Sequence, residues 1–184
     1  MVDRTDRHFR YFARLFTPNA LLYTEMLTTQ AVINGDRDKL LAFSKEEEPI
    51  ALQLAGNDPE ELFKAVNAAE PYNYSEYNLN AGCPSDKIQD ARYGACLMAE
   101  PSLVAELLAA MKEAASRPVT VKHRIGIDTL VSYTDLKHFV ETIRKVQPFR
   151  YTVHARIAIL QGLSPKENRN IPPLRYEDVY RLKQ

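Results

Sequence analysis

Apolar residues recur along this chain with two different spacings, and the two spacings alternate. Positions three and four apart mark helices; short aliphatic runs bounded by Gly, Pro or Asn mark strands. A first helix is expected over 8–16, capped by Thr5 or Asp6, with Phe9, Phe12, Ala13 and Phe16 on one face and Pro18-Asn19 as its stop. A strand over 21–26 leads into the polar run Thr28-Thr29-Gln30. Residues 34–39 read as loop or the edge of a helix, and 43–49, ending in Glu46-Glu47-Glu48 and Pro49, as a solvated connector. The run 50–55 is a strand whose one polar member is Gln53, closed by Gly56-Asn57. Asp58-Pro59-Glu60-Glu61 then starts a helix that runs to about Ala69: a capping Asp, a Pro in the first turn, and acids that suit the helix dipole.

The second half repeats the alternation. A strand over 77–80 opens into a polar loop over 84–93, with Asp86, Lys87, Gln89, Asp90 and Arg92, and then the small apolar stretch 94–98. The clearest amphipathic helix covers 101–115, with Leu103, Leu107, Ala110, Met111 and Ala114 as its buried stripe. A strand over 119–126 turns basic at its end, and a helix over 133–146 turns Leu136, Phe139, Val140 and Ile143 inward. A fifth strand, 151–156, is followed by a long loop and a last helix over 176–183. Strands alternating with helices of this length imply a parallel sheet with right-handed crossovers, an α/β fold. No linker divides the chain, so residues 1–184 read as one domain.

Composition narrows this only a little. Hydrophobic residues make up 45%, ordinary for a globular chain, and 24 basic side chains balance 24 acidic ones, so net charge does not point to nucleic acid. Two cysteines, Cys83 and Cys96, suit neither a metal pair nor a disulfide scaffold, which favours a reduced, cytoplasmic setting. No apolar run approaches the roughly 18 residues of a membrane span, and no signal-peptide pattern is present.

Chemistry concentrates at the C-terminal ends of the strands. Thr24 and Glu25 leading to Thr28, then Gln53, Asn80 with Cys83, Lys122 with Arg124, and His154 with Arg156 all fall there. In a parallel sheet these ends share one side, which in a barrel carries the active site. Cys83 lies between Gly82 and Pro84, on a bend past a strand end. Lys122 inside an apolar strand needs an anion, an electron-rich ring or a carbonyl unless it turns outward between helices. His154 reads as either a site residue or a core histidine bonded to a carbonyl. Gln53 suits the edge of a heterocycle or simply the next strand. Arg124 and Arg156 suit phosphate or carboxylate, or solvent. Lys166 and Arg169, in a loop beside Asn168, suit phosphates. Cys96 sits in an apolar setting and reads as core. Two enzymatic arrangements stay open on these residues. Lys122 could form a Schiff base; or Lys122, Gln53 and His154 could hold a cofactor while Cys83, a thiol mostly protonated at neutral pH, transfers a proton.

Five strings together carry a resemblance: Leu79 to Ser85, Gly94 to Met98, Val119 to Gly126, His154-Ala155-Arg156, and Gly162 to Arg169. They resemble the tRNA-dihydrouridine synthases, and the last of them, with Asp6-Arg7-His8 and Leu22 to Met26, resembles the bacterial A-type subgroup. The resemblance implies a (β/α)8 TIM barrel that binds FMN and uses NADPH or NADH to reduce tRNA D-loop uridines 20 and 20a. It assigns Cys83 as proton donor to C5 of the uracil, opposite a hydride delivered to C6. It assigns Gln53, Lys122 and His154 to the flavin, and Asn80, Lys166 and Arg169 to the tRNA. It implies no metal and no membrane. It also implies that the first strand would precede Met1, and that strands seven and eight, with the flavin-phosphate loops, and a tRNA-gripping helical domain would follow Gln184. Arg4 stands where the family carries tryptophan. About five strands of eight make this a partial barrel. The alternative is an inactive truncated remnant that lacks the flavin-phosphate site.

Overall fold

A computed structural model of the chain describes residues 4–85, 88 and 90–184. The strands are β1 (Leu22–Thr28), β2 (Ile50–Ala55), β3 (Glu76–Ala81), β4 (Val119–Arg124) and β5 (Tyr151–His154). They pair in parallel and in sequence order as one sheet. The principal helices are α1 (Arg7–Phe16), α2 (Thr29–Asn34), α3 (Arg37–Leu41), α4 (Pro59–Ala69), α5 (Pro101–Ala114), α6 (Tyr133–Arg144) and α7 (Tyr176–Lys183). Five adjacent parallel strands alternating with helices form part of a (β/α)8 barrel. The expected loop members Asp86, Lys87 and Gln89, and Met1, lie outside the described residues.

The strands alternate sharply between two faces. Ile50, Leu52, Leu54, Tyr77, Leu79, Ala81, Val119 and Val121 join the apolar core with α4, α5 and α6. The residues between them, Gln53, Glu76, Asn78, Asn80, Thr120 and Lys122, point to the opposite, inner face. Polar side chains therefore run the whole length of the inner face, not only its C-terminal end. Near the start of the strands Glu76 accepts from Tyr23 Oη at 3.0 Å and Thr120 Oγ1 at 2.7 Å, and pairs with Arg150. In the middle Gln53 Nε2 donates to Asn78 Oδ1 at 2.8 Å, and Asn78 Nδ2 to Thr120 Oγ1 at 2.8 Å.

Several expectations shift. The run Thr28-Thr29-Gln30 is a helix start: Thr28 caps α2 by accepting from the Ala31 N–H at 3.2 Å. Residues 43–49 are not wholly solvated, because Glu47 is buried and pairs with Arg10 at 2.6 Å. That pair turns α1 round. Arg10 and Arg14 face the body, and Arg14 donates to the carbonyls of Thr17, Ala20, Glu47 and Pro49. The Phe9, Phe12 and Phe16 face stays exposed. On α5 the fully buried positions are Val104, Leu107, Leu108 and Met111, so the stripe is rotated from the expected one; Leu103 and Ala114 pack at its margin. On α6 Leu136, Phe139 and Ile143 are buried, and Val140 packs against the core partly covered. β4 and β5 stop short of Gly126 and Arg156, where the chain peels into the loops that hold the site.

Candidate active site

The turn after β3 is built by Asn80. Its Oδ1 accepts from the N–H groups of Gly82 and Cys83, both at 3.0 Å, and its Nδ2 donates to Gln53 Oε1 at 2.9 Å. An Asn closing its own turn in this way selects one loop geometry. From the other side the Ala95 N–H donates to the Cys83 carbonyl at 2.9 Å. Gly94 stands there with φ +65°, and a Cβ on it would lie 2.5 Å from the Cys83 carbonyl oxygen. Cys83 is thus held at both ends of its backbone, with its thiol free and half-buried.

Lys122 is level with Asn80 on β3, and Arg124 with His154 on β5. The pairing brings Lys122 and His154 to the inner face, beside the Cys83 turn. Among the described residues the Lys122 ammonium has no hydrogen-bond partner, and burial pushes its pKa down, with Arg124 adding to the shift. His154 is brought down to about 4 by burial first, and then by Arg124, Lys122, Arg156 and Arg169. It is a neutral imidazole at pH 7. Among the described residues the charges that shift His154 are all cations, a cluster that favours an anionic or electron-rich ligand.

The structure gathers Gln53, Asn80, Cys83, Lys122 and His154 on one face. Both ends of the Gln53 amide are engaged within the sheet and those of Asn80 by Gln53 and the Cys83 turn, and both residues are buried. Lys166 and Arg169 are exposed on the loop beyond β5, with Arg169 near enough to depress His154. Thr24, Glu25 and Thr28 do not join the site. Thr24 supports the Gln53 N–H at 3.1 Å, Glu25 accepts from the Arg4 N–H at 3.0 Å, and Thr28 caps α2. Arg124 is not solvated and, among the described residues, is not paired with an acid; it is buried and bonded to backbone carbonyls. Arg156 donates to the Pro172 carbonyl. Cys96 is only half-buried, with burial raising its pKa. Asn78 and Thr120 escaped the sequence reading, although they lie two residues before Asn80 and Lys122, the spacing that defines one face of a strand.

The core-histidine description considered for His154 belongs to His123. That ring lies on the apolar face against Phe139, centroids 5.2 Å apart, with Nδ1 2.6 Å from the Arg124 carbonyl oxygen. Burial brings its pKa down to about 4. Both imidazoles bind a proton less readily in the fold than in the unfolded chain. Stability is therefore full above about pH 6.5 and falls as pH drops toward 4. Between pH 7 and 5 His123 should cost about 2 kcal/mol; half-exposed His154 adds less. Thermal melts should show a Tm lower at pH 5 by several degrees, and His123→Phe should remove the larger part of that drop. An unchanged pH slope in the variant would refute the assignment.

A cavity of about 140 Å³ lies between the segment leading into α5, the loop after β4 and α6; it is lined by Met98, Leu130, Leu136 and Phe139 among others and by none of this cluster. Among the described residues no group of His, Cys, Asp and Glu is placed to hold a metal, and no helix is long and apolar enough to cross a membrane.

The family model described as Dihydrouridine synthase (Dus) matches residues 1–184. Curated proteins named tRNA-dihydrouridine(20/20a) synthase are similar over the whole chain. The one from Synechocystis sp. is 60% identical, that from Shewanella oneidensis 56% and that from Vibrio parahaemolyticus 57%. The alignments cover 100% of this chain and 55%, 55% and 56% of those relatives, so the chain spans about half their length. A match of this extent, on a sheet whose inner face carries the cysteine turn and its cations, places the chain in the dihydrouridine synthase family.

Proposed function

We propose that residues 1–184 act as one catalytic domain, carrying the uridine-facing part of a flavin-dependent tRNA-dihydrouridine synthase. Its substrates are D-loop uridines 20 and 20a, its reductant NADPH or NADH, and its setting the cytoplasm. The observation that supports this best is the Cys83 turn, fixed by Asn80 and Ala95, beside a neutral His154 and a Lys122 without a hydrogen-bond partner among the described residues. The names of the relatives support the choice of uridines.

The residues present fit FMN. Lys122 offers an ammonium without a hydrogen-bond partner among the described residues, His154 a neutral ring, and the surrounding arginines a positive field. Lys122 and His154 would hold the cofactor, with the second Nε2 hydrogen of Gln53 beside them. When bound, the reduced flavin supplies the hydride that adds to C6 of the uracil. Cys83 gives its thiol proton to C5, and the thiolate recovers a proton from solvent. Lys122 places positive charge where negative charge gathers on an electron-rich ring edge. Lys166 and Arg169 take backbone phosphates, and Asn80 borders the uridine while it holds the turn. The target base has to leave its stack to enter such a site.

Purified and supplied with FMN, the chain is expected to turn yellow and to release FMN on denaturation. With NADPH it should form dihydrouridine in tRNA that lacks it. A colourless chain that takes up no FMN would overturn the reading for these residues. That outcome would support the alternative, an inactive remnant without the flavin-phosphate site.

A further inference from the structure

Arg124 links two loops that the functional reading uses separately. It is 2% exposed, inside a cluster of cations, and among the described residues all its hydrogen bonds go to main-chain carbonyls. Nε donates to Gly82 at 3.0 Å; Nη1 donates to Ile157 and to Asn168, each at 3.0 Å. Gly82 immediately precedes Cys83, and Asn168 immediately precedes Arg169. The second loop is wound tightly where Arg124 meets it. Asn168 is fully buried, accepts from the Ile159 N–H at 2.8 Å, and donates to the carbonyls of Ile159, Leu163 and Ser164. A movement of that loop therefore reaches the guanidinium through the Asn168 carbonyl, and the guanidinium reaches the Cys83 turn through the Gly82 carbonyl.

We propose that Arg124 is a positioning residue that holds the Cys83 turn and the Lys166–Arg169 loop in one fixed relation. A tRNA gripped by the loop then presents its uridine at the thiol. The planar guanidinium suits this because it can serve several carbonyls at once from one buried point, which a lysine ammonium on a flexible stem cannot do with the same geometry. The proposal rests on the reading of Cys83 as proton donor and of Lys166 and Arg169 as tRNA contacts.

The test needs neither FMN nor tRNA. Alkylation of Cys83 by iodoacetamide is followed by mass spectrometry with Cys96 as internal reference, and tryptic cleavage after Arg169 reports on the loop. Arg124→Lys and Asn168→Ala are each expected to change the Cys83 to Cys96 ratio by about threefold or more, and to speed cleavage; in the double variant the two effects should not multiply. Asn168→Ala is the decisive variant, because it alters the far loop only. If cleavage after Arg169 speeds up while the ratio at Cys83 stays the same, or if the double variant shows the full product of the single effects, the proposal fails. It fails equally if neither readout changes. Should Asn168→Ala not fold by circular dichroism, Asn168→Ser carries the same comparison. A chain that shows the coupling but reduces no uridine overturns the functional reading and leaves the coupling standing; an active chain without the coupling does the reverse.

Discussion

Cys83→Ala is expected to retain flavin and to lower dihydrouridine formation by about 10²- to 10⁴-fold, the usual contribution of a positioned acid. The backbone at this position is fixed by Asn80 Oδ1 on its N–H and by the Ala95 N–H on its carbonyl, and neither bond involves the thiol. Removing the sulfur should leave the turn in place and delete only the proton source. Cys96→Ala is the matched control. Its sulfur lies in the 3-10 turn Gly94–Ala99, outside the inner-face cluster, and its loss should leave the rate near that of the parent. Turnover and flavin absorbance measured on both variants check the pair. Normal turnover in Cys83→Ala would remove the thiol from the mechanism.

Gly94→Ala should be among the most damaging single-methyl changes in the chain. Gly94 has φ +65°, where a side chain costs about 1–2 kcal/mol. The added Cβ would lie 2.5 Å from the Cys83 carbonyl oxygen, 2.8 Å from Ile88 Cγ2 and 3.2 Å from Cys83 Cβ. The nearest of these atoms is backbone and cannot rotate away. Relief requires the Cys83 turn to shift, which strains the bond from the Ala95 N–H and the two bonds to Asn80. A loss of about 3 kcal/mol or more is expected in denaturant melts. Changed reactivity of Cys83 should accompany it, since the methyl presses on that residue. A variant as stable as the parent, with Cys83 alkylated at the parental rate, would contradict the close approach.

These residues divide what was legible from what was not. Gly94 belongs to one of the strings that carry the family resemblance, yet nothing in its neighbours says that it leans on a cysteine eleven residues earlier. Asn80, by contrast, sits within its own turn, and local chemistry was enough to mark the spot. Which face packs is decided where an element meets a partner distant in sequence. The sequence puts the aromatic residues of α1 on one face without saying where that face points; the carboxylate of Glu47 holds Arg10 inward, and the aromatic face stays exposed. The two histidines of β4 and β5 look alike in sequence; strand alternation sends His123 to the helices and His154 to the open face, which decides their surroundings.

The sequence by itself determined the alternation of strands and helices, their parallel order, the bend that carries Cys83, and the family. Each of these follows from local signals: apolar period, helix caps, turn residues, or contiguous strings. Only the tertiary structure decided that Gln53 and Asn80 bond each other, that Lys122 has no hydrogen-bond partner among the described residues, that cations from separate elements converge on His154, and that Arg124 joins the Cys83 turn to the Lys166–Arg169 loop through carbonyls. These are pairings between residues 27 to 44 positions apart, or fields summed over several elements, and they exist only once parallel strands bring their ends together.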